Sequence, residues 1–295
     1  MSKSTLFSVI MPTFNRAHFL EKAIRSVLDQ SFTDFELIIV DDGSEDNTPN
    51  VLDKFKDPRV HYYKKENEER NIARNFGVQK ANSKFICFLD SDDYYYPYHL
   101  TTAFELVTSN PAINWFYLPV ERRDINGKKL PVTPIPHNSY STALIRENFI
   151  LINGIVLKKE ILTKYPFIKS QNAIVGEDQY LWLRLISRFP LLIARDATSV
   201  TIEHENRSLR SIDLKKLTLG TEEIIQDLKN DHLFMDFYSH KSKWYFSFLQ
   251  SFIATVAIEQ LEFIIAKKYL LKSLKVYNRI IFNKRFLAAV KYLLK

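Results

Sequence analysis

Phe85-Ile86-Cys87-Phe88-Leu89-Asp90-Ser91-Asp92-Asp93 runs five apolar residues into three carboxylates within four positions. The apolar run has the length of a buried strand, and the acids that close it repel one another. Losing the hydration of adjacent charges is costly unless something positive compensates. Such a cluster at a strand end therefore asks for a cation, and oxygen ligands suit Mg²⁺ or Mn²⁺ and, through the metal, a diphosphate. Asp and Ser are equally ordinary turn residues. Alone, the stretch reads either as a cation site or as a plain turn.

Working outward toward the N-terminus, Phe7 to Met11 reads as a short buried strand and Phe35 to Val40 as another. Between them a helix is expected from about His18 to Gln30, with Leu20, Ala23, Ile24, Val27 and Leu28 on one face. The turn signal Asp41-Asp42-Gly43-Ser44 closes the second strand, and a helix from near Thr48 to Phe55 follows. Val60 to Tyr63 is a third strand, and Arg70 to Lys80 a helix with Ile72, Ala73 and Phe76 inward. Lys84 to Leu89 then delivers the acidic cluster. Strands alternating with helices at this spacing predict an α/β fold, a mostly parallel twisted sheet flanked by helices, with ligands at the carboxyl ends of strands.

Downstream, a helix is expected near His99 to Ser109, then strands and loops from Asn114 to Asn138. Ile150 to Leu157 and Ala197 to Ile202 read as strands and Gln179 to Phe189 as a helix. From Leu214 nearly to Lys295 the pattern is helical.

Composition narrows the function classes. With 46% hydrophobic and 25% charged residues the 295-residue chain is globular, large enough for one big domain with an appendage or for two domains. Its one cysteine, Cys87, lies inside an apolar run, which excludes an intrachain disulfide and suits a reducing compartment. No secretion signal is visible and no apolar run reaches the roughly 18 residues of a spanning helix, so a cytoplasmic protein, soluble or peripheral on the inner face of the plasma membrane, is expected. Six glycines leave no glycine-rich phosphate loop. The net charge of +7 is uneven: residues 241–295 carry eleven Lys and Arg against two Glu, leaving residues 1–240 near −2. A basic excess at one end points to a local partner such as anionic lipid. No nucleic-acid partner is expected.

Four motifs occur in order: Ser8-Val9-Ile10-Met11-Pro12-Thr13-Phe14-Asn15-Arg16, Leu37-Ile38-Ile39-Val40-Asp41-Asp42-Gly43-Ser44-Glu45-Asp46, Ala73-Arg74-Asn75-Phe76-Gly77 and Phe88-Leu89-Asp90-Ser91-Asp92-Asp93. With them the chain resembles the family 2 glycosyltransferases over about residues 6 to 210, a pattern far more specific than a lone Asp-x-Asp. The resemblance implies a GT-A fold in a catalytic domain of residues 1–212. Its nucleotide half would cover about 1–98 and its acceptor half about 99–212. Residues 213–295 would form a basic, aromatic-rich helical extension.

The resemblance also implies an inverting, metal-dependent transferase. It would move a sugar from a nucleotide donor, expected to be a UDP-sugar, to a hydroxyl of a glycan or lipid-linked saccharide in bacterial surface polysaccharide or lipopolysaccharide synthesis. A uracil ring offers an N3–H between two carbonyls and two π faces, so it wants a carboxylate, backbone donors and a flat cover. Asp41 fits the carboxylate, Phe14 the cover and the Pro12-Thr13 backbone the rest. Asn15, Arg16, Asp42 and Ser91 complete the expected nucleotide-sugar site. Arg70 and Arg74, four apart on one helical face, could reach the nucleotide or shield the acidic end of the next strand. Glu69 stands where many relatives carry glycine.

For the metal, Mn²⁺ or Mg²⁺, the resemblance makes Asp92 the direct ligand and gives Asp90 a ribose or metal-shell role, while Asp93 either joins them or caps the following helix. His204, in Thr201-Ile202-Glu203-His204-Glu205-Asn206-Arg207-Ser208, stands where some relatives supply a third ligand, or is structural. Gly176-Glu177-Asp178-Gln179-Tyr180 matches the family's Glu-Asp motif. Direct displacement needs a base beside the acceptor hydroxyl, and a carboxylate at a helix start can be aimed there. Asp178 is the expected base and Glu177 its neighbour orienting the acceptor.

The C-terminal region interleaves Trp244, Tyr245, Phe246 and Phe248 with Lys241, Lys243, Lys267 and Lys268. It suits an anionic membrane surface, or else a bundle packed on the catalytic domain or on a second subunit of a homo-oligomer. The alternatives for the whole chain are a catalytically silent sugar- or nucleotide-binding relative and a nucleotidyltransferase, which usually brings the glycine-rich loop absent here.

Overall fold

The structure, a computed structural model, describes residues 5–136, 139–204 and 212–293. Glu205 to Ser208, the end of the motif around His204, lies outside the described residues. The elements run β1 (Phe7–Thr13), α1 (Ala17–Leu28), β2 (Phe35–Asp41), α2 (Thr48–Leu52), β3 (Val60–Lys64), α3 (Arg70–Lys80), β4 (Phe85–Phe88), β5 (Tyr94–Tyr95), α4 (His99–Ser109), β6 (Trp115–Tyr117), β7 (Val120–Asp124) and β8 (Lys129–Leu130). They continue with α5 (Tyr140–Leu144), β9 (Ile155–Lys158), α6 (Lys159–Lys164), α7 (Glu177–Ile186), β10 (Leu192–Ile193), β11 (Ser199–Glu203), α8 (Leu214–Asn230), α9 (His232–Glu259), α10 (Phe263–Val276) and α11 (Lys284–Leu293). Two compact units emerge, one of residues 1–135, 148–169 and 188–205, the other of 136–147, 170–187 and 206–295. This grouping cuts across the boundary drawn at residue 212 from the sequence.

The first unit is built on a seven-stranded sheet, β10-β6-β9-β4-β1-β2-β3. β1 pairs in parallel with β2 and β4, and β2 with β3, whereas β9 runs antiparallel to β4 and β6. Alternation along each strand sends side chains to opposite faces. Val9, Leu37 and Cys87 meet Leu20, Ala23, Ile24 and Val27 of α1 and Leu100 and Ala103 of α4 in one core. Each such aliphatic side chain contributes about 1.5–3 kcal/mol when fully buried. Cys87 is a core residue as expected, its thiol pushed up by burial. On the other face α3 lies so close that a Cβ on Gly77 would stand 2.5 Å from Ile10 Cγ2. Glycine there is what lets the helix rest on the sheet.

Two expectations are corrected. Ile150 to Gly154 is not strand: Ile152–Gly154 forms a 3₁₀ turn ahead of β9, and Gly154 lies so tight that a Cβ would stand 2.0 Å from Leu118 O. On α3 the buried residues include Asn71, Arg74 and Asn75, while Ile72 and Phe76 are only partly covered. A second sheet, β5-β11-β7-β8, completes the unit.

In the second unit, α7 and α5 group with the C-terminal helices. A core of Leu217, Ile253, Ala257, Tyr269, Ile280 and Phe286 joins α8 to α11. Ser247 and Ser273 exchange hydroxyl-to-carbonyl hydrogen bonds of 2.9 Å in both directions, so small polar side chains close α9 on α10 without an orphaned donor. α9 breaks its helical backbone at Ser239.

Candidate active site

The parallel register sets Thr13 opposite Asp41 and Ile10 opposite Phe88. Three neighbouring strands therefore release the chain at one edge, and their first loop residues are Phe14 to Arg16, Asp42 to Ser44 and Asp90 to Asp93. The motifs met in sequence order become neighbours because the strands are parallel.

Asp41 is fully buried at the end of β2. Its Oδ1 accepts from Ser44 N at 2.8 Å and its Oδ2 from the Tyr62 hydroxyl at 2.8 Å. Burial, then the Asp41 carboxylate, push the Tyr62 phenol well above its ordinary range, so it stays a donor. Asp42 N donates to Thr13 O at 2.9 Å. The Asp42 carboxylate holds Lys65 Nζ at 2.8 Å and Glu68 N at 3.1 Å, which ties this turn to the chain entering α3. Asn15, at φ 51, donates its N–H to Ser44 Oγ and accepts from Glu45 N, both at 2.9 Å. Pro12 and Thr13 are buried and Phe14 is 44% exposed. The Phe14 ring is thus a free apolar face beside a buried carboxylate.

Asp90, Asp92 and Asp93 each bring one oxygen within 4.8 Å of the others. Their surroundings separate them. Asp93 is buried and committed: its Oδ1 accepts from Ile202 N at 2.7 Å and its Oδ2 from Asn153 Nδ2 at 2.6 Å and Thr201 Oγ1 at 3.1 Å. It fastens the loop to β11 and does not cap α4, whose N-cap is Tyr98, so the cap reading is corrected. Asp92 faces His204, with Nε2 2.9 Å from its Oδ2, and Arg16 Nε at 3.7 Å. The other ring nitrogen of buried His204, Nδ1, has no hydrogen-bond partner among the described residues. Asp90 N donates to Asn153 Oδ1 at 2.9 Å, and Asp90 Oδ1 accepts from Arg74 Nη2 at 2.8 Å. Ser91 between them is buried. The three carboxylates lie close enough to share a cation, and oxygen ligands suit Mn²⁺ or Mg²⁺; His204 reaches this group through Asp92, and Asn153 holds the loop.

Arg74 is 2% exposed, and its guanidinium lies over the Phe167 ring at 5.6 Å. Its contact with Asp90 is the one that a shield of the acidic strand end would make. Asn71 Nδ2 and Asn75 Nδ2 donate to the carbonyls of Ile168 and Phe167 at 2.7 and 3.0 Å. Glu69 ahead of Arg70 has φ 79 and ψ 155, backbone angles natural to glycine. Arg70 opens α3, one turn from Arg74.

In the second unit Gly176, at φ 81, turns the chain into α7, and Glu177 and Asp178 occupy its first turn. Acids there complement the helix dipole. Glu177 is buried and Asp178 half-buried, its Oδ1 accepting from Gln179 N at 2.7 Å. Gln179 donates to Leu144 O at 2.7 Å and accepts from the Tyr245 hydroxyl at 3.3 Å. Further along, the Tyr180 hydroxyl donates to Asp227, and Arg184 bridges Tyr180 Oη at 2.7 Å and Asp231 at 3.0 Å. The helix carrying the Glu-Asp motif is thus pinned to α8 and α9.

The family model for glycosyl transferase family 2 matches residues 8–159, more than half of the chain. The chain belongs to glycosyl transferase family 2. An uncharacterized glycosyltransferase of Rickettsia felis is 29% identical over 77% of this chain and 38% of its own length. The UDP-Glc:alpha-D-GlcNAc-diphosphoundecaprenol beta-1,3-glucosyltransferase of Escherichia coli is 31% identical over 61% of this chain and 70% of its own. The chain spans 38%, 29% and 37% of the length of the three Rickettsia relatives it matches. In structure it is similar to S. aureus TarS 1–349 in complex with UDP, with a TM-score of 0.63 at 17% identity, covering 92% of this chain and 89% of that one. It is also similar to the mannosyltransferase PcManGT of Pyrobaculum calidifontis in complex with GDP-Man and Mn²⁺, with a TM-score of 0.58 at 16% identity, covering 99% and 86%. The fold is GT-A.

Several residues of this family 2 site have no motif to announce them. Tyr62 is one of two adjacent tyrosines in an edge strand, and only the β2–β3 pairing turns its hydroxyl onto Asp41. Lys65 sits among charges with an ordinary surface composition. Asn153 stands in no motif either, yet it bonds both Asp90 and Asp93.

Proposed function

We propose that this family 2 member is an inverting, metal-dependent glycosyltransferase using a UDP-sugar and a glycan or lipid-linked saccharide acceptor, in bacterial surface polysaccharide or lipopolysaccharide synthesis. The observation that carries the reading is the pairing of Asp92 with His204 beside Asp90, at the strand edge that also presents buried Asp41. The E. coli relative's name contains UDP-Glc and a diphosphoundecaprenol acceptor, and a Campylobacter jejuni relative, 31% identical, is named for a PP-undecaprenol acceptor. Both names support a lipid-linked acceptor here. No described helix is long and apolar enough to cross a membrane, and an active site working at the cytoplasmic face is part of the proposal.

Each residue has a role by chemistry. Asp41 accepts from uracil N3–H, Phe14 covers the ring, and the Pro12-Thr13 backbone meets its carbonyls. Asp42 keeps the loop fixed through Lys65, while Asn15 and Ser44 hold the two turns together. Arg16, Arg70 and Ser91 belong to the diphosphate-sugar side, and Arg74 holds Asp90 in place. Asp92 and Asp90 would hold Mn²⁺ or Mg²⁺, with His204, placed against Asp92, as the further ligand proposed, and the chemistry such an ion would supply is electrostatic stabilisation of charge on the departing nucleoside diphosphate. Asp178 takes the proton from the acceptor hydroxyl as its oxygen bonds to the sugar's anomeric carbon. The bond from that carbon to the phosphate oxygen breaks, its electrons leave with the diphosphate, and the configuration inverts. Glu177, buried at the start of α7, orients the acceptor.

A thermal-shift screen of nucleotide-sugars with and without Mn²⁺ tests the reading. Stabilisation by UDP-sugars that requires Mn²⁺, followed by UDP release in the presence of acceptor, is expected. Binding without any release would instead favour the silent relative.

A further inference from the structure

The turn from α9 into α10 places two unfavourable choices on one residue. Leu261 has φ 63, a backbone region that costs a bulky side chain and suits glycine, and it is 67% exposed. Ile264, one turn on, is 87% exposed, and Phe282, beyond the other end of α10, is 78% exposed. Single exposed apolar residues are ordinary, but a group of large ones marks an interaction site.

Along α10 the exposed positions Ile264, Lys268, Leu271 and Lys275 are spaced four, three and four apart, so they form one stripe. Ala266, Tyr269, Leu270 and Ser273 fill the buried side. Between residues 260 and 293 there are eight Lys and Arg and one acid, Glu262. Three of these cations are engaged within the unit, Lys272 with Glu222 at 2.6 Å, Arg285 over the Phe248 ring at 4.7 Å and Lys268 over the Tyr269 ring at 5.6 Å. Lys268, Lys275 and Lys284 form no ion pair among the described residues. The stripe therefore alternates uncovered apolar chains with exposed positive charge.

We propose that the outward face of α10, with Ile264, Lys268, Leu271 and Lys275, docks on an anionic lipid surface. Apolar side chains enter the headgroup boundary while Lys268 and Lys275 meet lipid phosphates. Charge complementarity selects this occupant. A second copy docking through the same face in a two-fold dimer would bring like charges together, and the remainder of the chain, near −2 over residues 1–240, offers no strong acidic excess to meet it. The inference deepens the lipid-linked acceptor reading by naming the surface that would bring the chain to such an acceptor. Vesicle binding requires neither donor nor acceptor, so failure here and failure of that reading are separable.

The full chain is sedimented with vesicles of phosphatidylglycerol and phosphatidylcholine, and with phosphatidylcholine alone, at rising salt. Binding to the anionic vesicles only, weakening with salt, is expected. Lys268→Gln with Lys275→Gln should lower the partition constant about 25-fold, at about fivefold per charge. Ile264→Asp with Leu271→Asp should lose binding, and since both positions are exposed the far-UV circular dichroism should stay that of the wild type. Equal partition into neutral vesicles, no sedimentation, or wild-type binding by the variants would overturn the proposal. A dimer that Ile264→Asp dissociates in analytical ultracentrifugation would overturn it in favour of a second copy.

Discussion

His204 Nε2 and Asp92 Oδ2 lie 2.9 Å apart, although 112 residues separate them in the chain. The contact depends on Asp93, which bonds Ile202 N and so brings the end of β11 to the acidic loop. On the proposed reading imidazole and carboxylate would act as a unit, as joint ligands or as ligand and orienting partner. His204→Ala should raise the Mn²⁺ concentration for half-maximal UDP release about 10- to 100-fold. Mn²⁺ titrations of the two proteins decide it, and superimposable curves would remove His204 from the site.

Arg74 and Asp90 form an ion pair at 2.8 Å, with the Arg74 side chain 2% exposed and that of Asp90 25% exposed. Removing Arg74 takes a close positive charge from Asp90, and removing Asp90 takes the close negative charge from a buried guanidinium. Arg74→Met should cost about 3 kcal/mol of stability, and Arg74→Met with Asp90→Asn less than the sum of the two single changes. Urea unfolding of the four proteins in this cycle measures both.

Glu69 holds a conformation that costs a side chain of order 1–3 kcal/mol. Glu69→Gly should therefore raise stability by about 1 kcal/mol after the added chain entropy of glycine. A lower urea midpoint in this variant would mean that the Glu69 side chain supplies more than its backbone strain removes.

His99 is buried against Tyr95, with ring centroids 3.6 Å apart, and its Nδ1 meets Thr198 Oγ1 at 2.8 Å. Burial pushes the imidazole down to about 3 from 6.5. Below pH 6.5 the unfolded chain binds a proton that the folded chain refuses, so stability is full above pH 6.5 and falls progressively toward pH 3. At pH 5.5 the loss is about 1.4 kcal/mol. His99→Gln should lose less stability between pH 7.5 and 5.5 than the wild type, which urea unfolding at the two pH values checks.

The acid-terminated strands and the order β-α-β-α-β-α-β were legible because hydrophobic runs and turn signals are local. Arg70–Lys80 and His99–Ser109 lie where the periodicity placed them. The inward face of α3 was not legible. Asn71, Arg74 and Asn75 look like surface residues and are buried because the Phe167–Ile168 backbone and Asp90 satisfy them, partners up to 97 residues away. Asp93 misled for the same reason, since an acid before a helix resembles a cap until β11 is beside it. Tyr62 needed the strand register, and the grouping of α7 with the C-terminal helices rests on side-chain pairs such as Arg184 with Asp231 that no local pattern encodes.

The division of labour between donor binding and proton removal is the central claim, and Asp178→Asn tests it most directly. UDP affinity in the presence of Mn²⁺ and sugar transfer are measured on the same preparation. The account predicts UDP binding within about twofold of wild type, since Asp41, Asp90 and Asp92 are untouched, and transfer reduced by about 10²–10⁴-fold. Wild-type transfer by Asp178→Asn, or loss of UDP binding along with it, would contradict the account.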